Sequence, residues 1–67
     1  MSRQQITAFA MNETGRDAIV FKSDKGFEVD FLRDGQVVET RPMYEHNIHY
    51  ALDACENWIT GAGAFGS

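Results

Sequence analysis

The clearest structural signal in this chain is HNIHYALDACENWITG, residues His46–Gly61. Its apolar side chains recur at the spacing of one face of an α-helix, and they are Ile48, Ala51, Leu52, Cys55, Trp58 and Ile59. Asn47 is a suitable N-cap, and Gly61 can adopt the left-handed conformation that ends a helix. A helix of about four turns is marginal alone in water, so its apolar stripe needs a partner surface. We expect Trp58 to be the largest single contributor to that contact.

The length of the chain limits what it can do. With 67 residues it is near the lower limit for independent folding. A packed core leaves little room for a deep catalytic cavity, so we expect a protein that is not an enzyme, with no catalytic residues and no cofactor. We expect one small domain over residues 1–61 and a flexible, glycine-rich tail over residues 62–67.

Charge and cysteine content narrow the possible partners and the compartment. Six basic residues stand against ten acidic ones, which gives a net charge of −4. Binding to nucleic acid or to an anionic membrane relies on basic residues, so neither is expected. A single cysteine and the lack of a long apolar N-terminal segment favour a cytoplasmic protein.

The region before the helix predicts antiparallel strands. Ile6–Met11 is compatible with a strand or a helical turn, and a hairpin with Ala18–Ser23 across a turn at Asn12–Asp17 is the simpler interpretation. Asp24–Gly26 resembles a three-residue hairpin loop with a glycine bulge, which pairs Ser23 with Phe27. Asp34-Gly35 is typical of a two-residue type I′ hairpin, which pairs Arg33 with Gln36.

These loops together place one apolar set on a single sheet face, namely Ile19, Phe21, Phe27, Val29, Phe31 and Val38. Pro42 cannot donate to the ladder, so the last strand should end by Arg41. The expected fold is α+β: an antiparallel three- or four-stranded β-meander with one C-terminal α-helix packed on one face (ββββα).

One helix covers only one face of a sheet, so the other face is the candidate for interaction. Under the predicted register it carries apolar residues next to carboxylates: Val20, Glu28, Asp30, Leu32, Val37 and Glu39. An apolar cluster rimmed by carboxylates is typical of a protein-binding surface. Scattered apolar residues on a solvated sheet face, or a cover formed by the N-terminal segment, are the alternatives.

Two further groups have a possible chemical role. His46, His49 and Asp53 have helical spacing that could hold a metal ion, but a solvated polar helix face is the better interpretation, so no metal site is predicted. Cys55 belongs to the apolar stripe of the helix, and we expect it to be a buried core residue rather than a nucleophile.

From Gly26 to Gly61 the chain has the sequence GFEVDFLRDGQVVETRPMYEHNIHYALDACENWITG. This stretch resembles short uncharacterised proteins of marine cyanophages and picocyanobacteria. They share a β-hairpin with a D/N-G turn, an E-T-R strand end and a helix ending in E-N-W-x-x-G. These motifs are structural, so no functional residue is carried over. The resemblance implies a small accessory protein in the cytoplasm of a marine bacterium or of a phage-infected host.

We therefore expect a noncatalytic protein-binding module whose partner is another protein. The resemblance extends this to a phage-encoded accessory protein that modulates a host protein. The first alternative is a self-associating structural domain, a homodimer. The second is a metal-binding protein that uses histidine and aspartate.

Overall fold

The computed structural model describes residues 3–11 and 13–61, and in it four strands precede one helix. The elements are β1 (Gln4–Met11), β2 (Arg16–Ser23), β3 (Gly26–Arg33), β4 (Gln36–Met43) and α1 (Ile48–Thr60). The strands form one antiparallel sheet in the order β1-β2-β3-β4. The predicted ββββα fold is confirmed, and the strand interpretation of residues 6–11 is correct. The tail predicted for residues 62–67 lies outside the described residues.

Both ends of α1 form as the sequence predicts. The side chain of Asn47 accepts a hydrogen bond of 3.0 Å from the backbone N–H of Tyr50, which satisfies an orphan donor of the first turn. Gly61 adopts a left-handed φ of 77°, and its N–H donates to the Trp58 carbonyl at 3.1 Å. The caps therefore fix the length of the helix.

The apolar stripe of α1 packs on the sheet, chiefly on β2 and also on β1 and β3. The core of buried residues comprises Ala18, Val20, Val29, Phe31, Met43, Ala51, Ala54, Cys55 and Ile59. Half-buried Trp58 lies at its margin, with its ring centroid 5.3 Å from that of Phe31. Its indole N–H donates to the Leu32 carbonyl at 3.1 Å, so the helix is attached to β3 by a polar contact as well as an apolar one.

A second set of contacts joins the C-terminal end of α1 to the loop between β1 and β2. The Thr14 hydroxyl donates to the Ile59 carbonyl at 2.6 Å, and the Arg16 guanidinium donates to the Trp58 carbonyl at 3.3 Å. The last carbonyls of a helix carry partial negative charge, which a nearby cation stabilises. The last turn of α1 contains no basic residue of its own. Arg16 from β2 supplies the cation instead.

The turn between β3 and β4 is the predicted two-residue hairpin. Asp34 and Gly35 have φ values of 54° and 84°, as a type I′ turn requires, and Arg33 pairs with Gln36. The ladder then contains a bulge, which differs from the regular pairing predicted from the sequence. Leu32 pairs with Val37 but Phe31 pairs with Glu39, so Val38 is the extra residue on β4.

The turn between β2 and β3 differs from the prediction. It has two residues rather than three, and Ser23 pairs with Gly26 instead of Phe27. The Ser23 hydroxyl closes the turn, since it accepts from the Lys25 N–H at 3.2 Å and donates to the Gly26 carbonyl at 3.1 Å. Gly26 serves a close approach instead of a bulge, because a Cβ there would lie 2.9 Å from the Tyr44 Cα.

This one-residue difference reverses the predicted faces of β2. Val20 pairs with Val29, and Ala18 pairs with Phe31, so these residues face α1. Ile19 and Phe21 pair with Asp30 and Glu28 on the opposite side. The prediction that Ile19, Phe21, Val29 and Phe31 share one face is therefore wrong, because a slip of one residue moves every side chain of a strand to the other face.

The predicted end of the last strand is also wrong. β4 continues to Met43, and Pro42 pairs with Glu28. β4 is an edge strand, where a proline is tolerated because its missing N–H can face solvent instead of the ladder. Met43 is thereby carried into the core, where it is 2% exposed.

Candidate interaction surface

The side of the sheet that faces away from α1 is called the open face below. Cross-strand pairing and the alternation of side chains assign its members. They are Gln5, Ala8, Ala10, Asp17, Ile19, Phe21, Glu28, Asp30, Leu32, Val37, Thr40 and Pro42. Within residues 3–11 and 13–61, no helix or second sheet packs on this side.

A buried carboxylate lies at the centre of the open face. Asp30 is 5% exposed and accepts three hydrogen bonds. Two come from the Arg3 guanidinium at 2.8 and 3.1 Å, in bidentate geometry, and one comes from the Thr40 hydroxyl at 2.9 Å. The interaction with Asp30 is the main cause that raises the pKa of Arg3. A charge at this depth is tolerated because it is paired and hydrogen-bonded.

A second carboxylate extends this network towards the end of β4. Glu28 accepts from the Tyr44 hydroxyl at 2.6 Å and from the Arg3 guanidinium at 3.2 Å. The hydrogen bond from Tyr44 is the main cause that lowers the pKa of Glu28 below its ordinary value, and Arg3 adds to the effect against the opposing influence of burial. The same hydrogen bond raises the pKa of Tyr44. Glu28 is therefore ionised and the Tyr44 hydroxyl is protonated at neutral pH.

Arg3 also covers part of the apolar surface. Its guanidinium carbon lies 3.9 Å from the centroid of the Phe21 ring, which is a cation–π contact. With Asp30, Glu28 and Phe21 all in contact with one guanidinium, Arg3 joins the start of the chain to β2 and β3. Its side chain remains 36% exposed.

The apolar part of the open face runs diagonally across β2, β3 and β4. Ile19, Phe21 and Leu32 are half-buried, and Val37 is 53% exposed. Throughout the described residues, no buried side-chain nitrogen or oxygen lacks a hydrogen-bond partner. Both carboxylates of the network, Glu28 and Asp30, have hydrogen-bond partners within the chain.

Of the six residues predicted for this face, four lie on it and two lie on the α1 side of the sheet. Glu28, Asp30, Leu32 and Val37 lie on the open face as predicted. Val20 does not: it is fully buried in the core beneath α1, because of the shorter turn between β2 and β3.

Glu39, like Val20, lies on the α1 side of the sheet and not on the open face. It pairs with Phe31, and its carboxylate contacts the Arg41 guanidinium at 2.7 Å. The bulge at Val38 is the reason for this reversal, because it changes the alternation of side chains along β4.

Sequence reasoning missed the other residues of the surface, among them Ile19, Phe21 and Thr40 of the open face and the two residues that contact its carboxylates, Arg3 and Tyr44. A correct register would have placed Thr40 opposite Asp30 and Phe21 beside Glu28. No sequence signal identifies Arg3, because its partner Asp30 is 27 positions away and the contact depends on how β1 enters the sheet.

The histidines of the predicted metal alternative do not form a site. His46 precedes α1, and its ring stacks on Tyr50 with the centroids 3.7 Å apart. In the part of the chain that the structure describes, no three His, Cys, Asp or Glu side chains come together in a way that could hold a metal ion. A shallow depression of about 200 Å³ on α1 is lined by Tyr50, Asp53, Ala54 and Asn57, without either histidine.

Cys55 is fully buried, as its place in the apolar stripe predicts. Burial raises the pKa of its thiol to about 11. The nucleophilic form of cysteine is the thiolate, so this side chain is almost entirely in the unreactive form at neutral pH.

Comparison of the chain with protein-family models, with curated proteins and with solved structures found no match. Among the described residues, α1 is the one helix, and it is neither long nor apolar enough to cross a membrane.

Proposed function

We propose that this protein is a small noncatalytic module that binds another protein through the open face. The observation that carries the proposal is a sheet face on which an apolar diagonal, Ile19 to Val37, adjoins a fixed network of charges and hydroxyls. Interfaces combine an apolar centre with a polar rim in this way. Half-buried side chains on this face would gain burial on docking, which is the main favourable contribution to association.

The charged network favours binding because it is ordered in advance. Arg3 is held by two hydrogen bonds to Asp30 and one to Glu28, so it loses little side-chain freedom when a partner docks. Ordering of flexible side chains opposes association by roughly 0.5–1.5 kcal/mol for each one. Arginine beside an aromatic ring is also a frequent component of binding hot spots, and Arg3 lies directly over Phe21.

The charges of the open face indicate the character of the partner. Asp17, Glu28 and Asp30 are acidic, and Arg3 is the one basic residue described there, so the face is net negative. A partner surface with lysines or arginines around an apolar centre would match it, and the overall charge of −4 would favour the approach. The resemblance to cyanophage and picocyanobacterial proteins extends the proposal to a phage-encoded accessory protein that modulates a host protein.

Affinity capture from a picocyanobacterial lysate tests the proposal with a matched control. Leu32→Lys/Val37→Lys adds two charges to the apolar diagonal, at residues that pair directly across β3 and β4. Tyr50→Lys/Asn57→Lys adds the same charges at exposed positions of α1, on the other side of the sheet. We expect the parent and the α1 variant to retain the same proteins and the open-face variant to lose them. A set of captured proteins that is the same for all three would contradict the proposal.

A further inference from the structure

The start of β1 is attached to the sheet differently from the rest of that strand. β1 pairs with β2 in two stretches, and the register shifts between Gln5 and Thr7. A shift of this kind interrupts the ladder of backbone hydrogen bonds. Residues 3–6, which lie at or before the interruption, are called the strap below. The strap and residues 7–11 are therefore joined to β2 by two separate sets of pairs.

Apolar packing holds the second stretch of β1 but contributes little to the strap. Phe9 packs against the core, and the pairing of residues 7–11 with β2 is uninterrupted. All four residues of the strap are exposed, and its one apolar side chain, Ile6, is 48% exposed. Segments with few buried apolar contacts are those that open locally at a low cost in free energy.

The Arg3 side chain provides the strongest contacts of the strap. Of the four strap residues, Gln4 and Gln5 pair with β2 through their backbone. The Arg3 guanidinium extends past β2 to β3, where it donates two hydrogen bonds to Asp30 and one to Glu28. Bidentate bonds between a guanidinium and a carboxylate are among the strong polar contacts of proteins. Closure of the strap thus depends on one side chain instead of on a buried apolar surface.

The carboxylates that bind Arg3 are also held by contacts from outside the strap. The Thr40 hydroxyl donates to Asp30 at 2.9 Å, and the Tyr44 hydroxyl donates to Glu28 at 2.6 Å. Departure of Arg3 would leave both of these hydrogen bonds in place. It would also admit water to the side of Asp30 that the guanidinium covers, so the carboxylate would not be left buried without a partner.

We propose that the strap opens and closes as a unit of its own, while residues 7–11 and the rest of the sheet stay folded. In the closed state Arg3 lies over the Phe21 ring and offsets one of the two carboxylate charges beside it. In the open state the ring and both carboxylates are accessible to solvent. The open face therefore has two states, which differ in the charge and the exposure of its centre.

This conformational change affects the surface of the proposed function but does not depend on that function. The closed state is the one in which Arg3 is ordered before a partner docks. Opening should therefore lower the apparent affinity for a partner in proportion to the fraction of open molecules. A strap that never opens would leave the proposed function intact, and a protein that captures no partner would leave the opening of the strap intact.

Amide hydrogen exchange, followed residue by residue by NMR, measures the opening of the strap in the whole chain. Local opening exposes the amides that join the strap to β2, whereas global unfolding exposes all of β1 together. We expect these strap amides to exchange at least about tenfold faster than the protected amides of residues 7–11. Equal protection of the two stretches would overturn the proposal.

Substitution of Arg3 tests whether its side chain controls the opening. Arg3→Gln should accelerate exchange of the strap at least about tenfold further. Exchange of residues 7–11 should change only as much as global stability does, which urea unfolding measures. Arg3→Lys keeps the charge but loses the bidentate geometry, so it should fall between the parent and Arg3→Gln.

Arg41→Gln is the matched control for this substitution. It removes a guanidinium that donates two hydrogen bonds to Glu39 on β4, at the other edge of the sheet. Exchange of the strap should be the same in this variant as in the parent. Two results would overturn the proposal: strap exchange that is the same in Arg3→Gln as in Arg41→Gln, or an acceleration in Arg3→Gln that extends equally to residues 7–11.

Discussion

Replacing Trp58 with alanine should weaken the attachment of the C-terminal end of α1 to the sheet. The indole makes three contacts that alanine cannot: the ring packing with Phe31 at 5.3 Å, the hydrogen bond to the Leu32 carbonyl at 3.1 Å, and the cation–π contact with Arg16 at 4.6 Å. These contacts lie near the C-terminal end of the helix. Their loss should therefore free the last turn first.

The size of the effect follows from the contacts. Truncation of a large aromatic residue in a core lowers the free energy of unfolding by about 3–5 kcal/mol, and half-burial favours the lower end for Trp58. A domain of this length has a total stability of roughly 3–10 kcal/mol. In so small a domain 1 kcal/mol corresponds to about 4–8 °C in melting temperature, so Trp58→Ala should melt at least about 12 °C below the parent.

Urea and thermal unfolding followed by far-UV circular dichroism measure this difference. Trp58 is the only tryptophan, so its fluorescence is lost in the variant and is not a suitable probe. Trp58→Phe keeps a ring against Phe31 but removes the N–H donor, and it should lose about 1–2 kcal/mol. Val38→Ala, at a residue 56% exposed, is the control and should change stability by less than about 0.5 kcal/mol. A Trp58→Ala protein as stable as Val38→Ala would refute the packing argument.

Two further predictions concern the sheet. Gly26→Ala should lower the free energy of unfolding by about 1–3 kcal/mol, because Gly26 has a φ of 137° and its new Cβ would meet the Tyr44 backbone at 2.9 Å; equal urea midpoints would contradict this. Folding lowers the pKa of Glu28 through the Tyr44 hydroxyl, so its contribution to stability is present above its ordinary pKa of 4.5 and is lost as the pH falls through the folded-state value. Glu28→Gln should therefore lose less stability than the parent between about pH 6 and pH 3, and equal losses would contradict the prediction.

The elements of this fold were predictable because their signals are local. The N-cap Asn47 and the C-cap Gly61 lie within one turn of the backbone groups they satisfy. Asp34-Gly35 requires only that two consecutive residues adopt positive φ. Such interactions depend on neighbours in sequence, so element order, helix limits and the second hairpin follow from the residues themselves.

The faces of the strands were not predictable in the same way. A glycine after Asp24-Lys25 is compatible with a bulge or with a close approach, and the decisive neighbour, the backbone of Tyr44, is 18 positions beyond Gly26. The bulge at Val38 likewise has no glycine to mark it. Each of these features shifts the register by one residue, which exchanges the two faces of a strand and sent Val20 into the core.

Local signals in the sequence were enough to predict that three or four strands lead into one capped amphipathic helix, because propensity, capping and tight turns act over a few residues. Which side chains contact one another depends instead on how the strands align in the folded protein. The pairing of Arg3 with Asp30 spans 27 positions, and it exists because β1, β2 and β3 align in one register out of several that local preferences allow. The open face belongs to this second level, since it is formed by residues from every strand of the sheet.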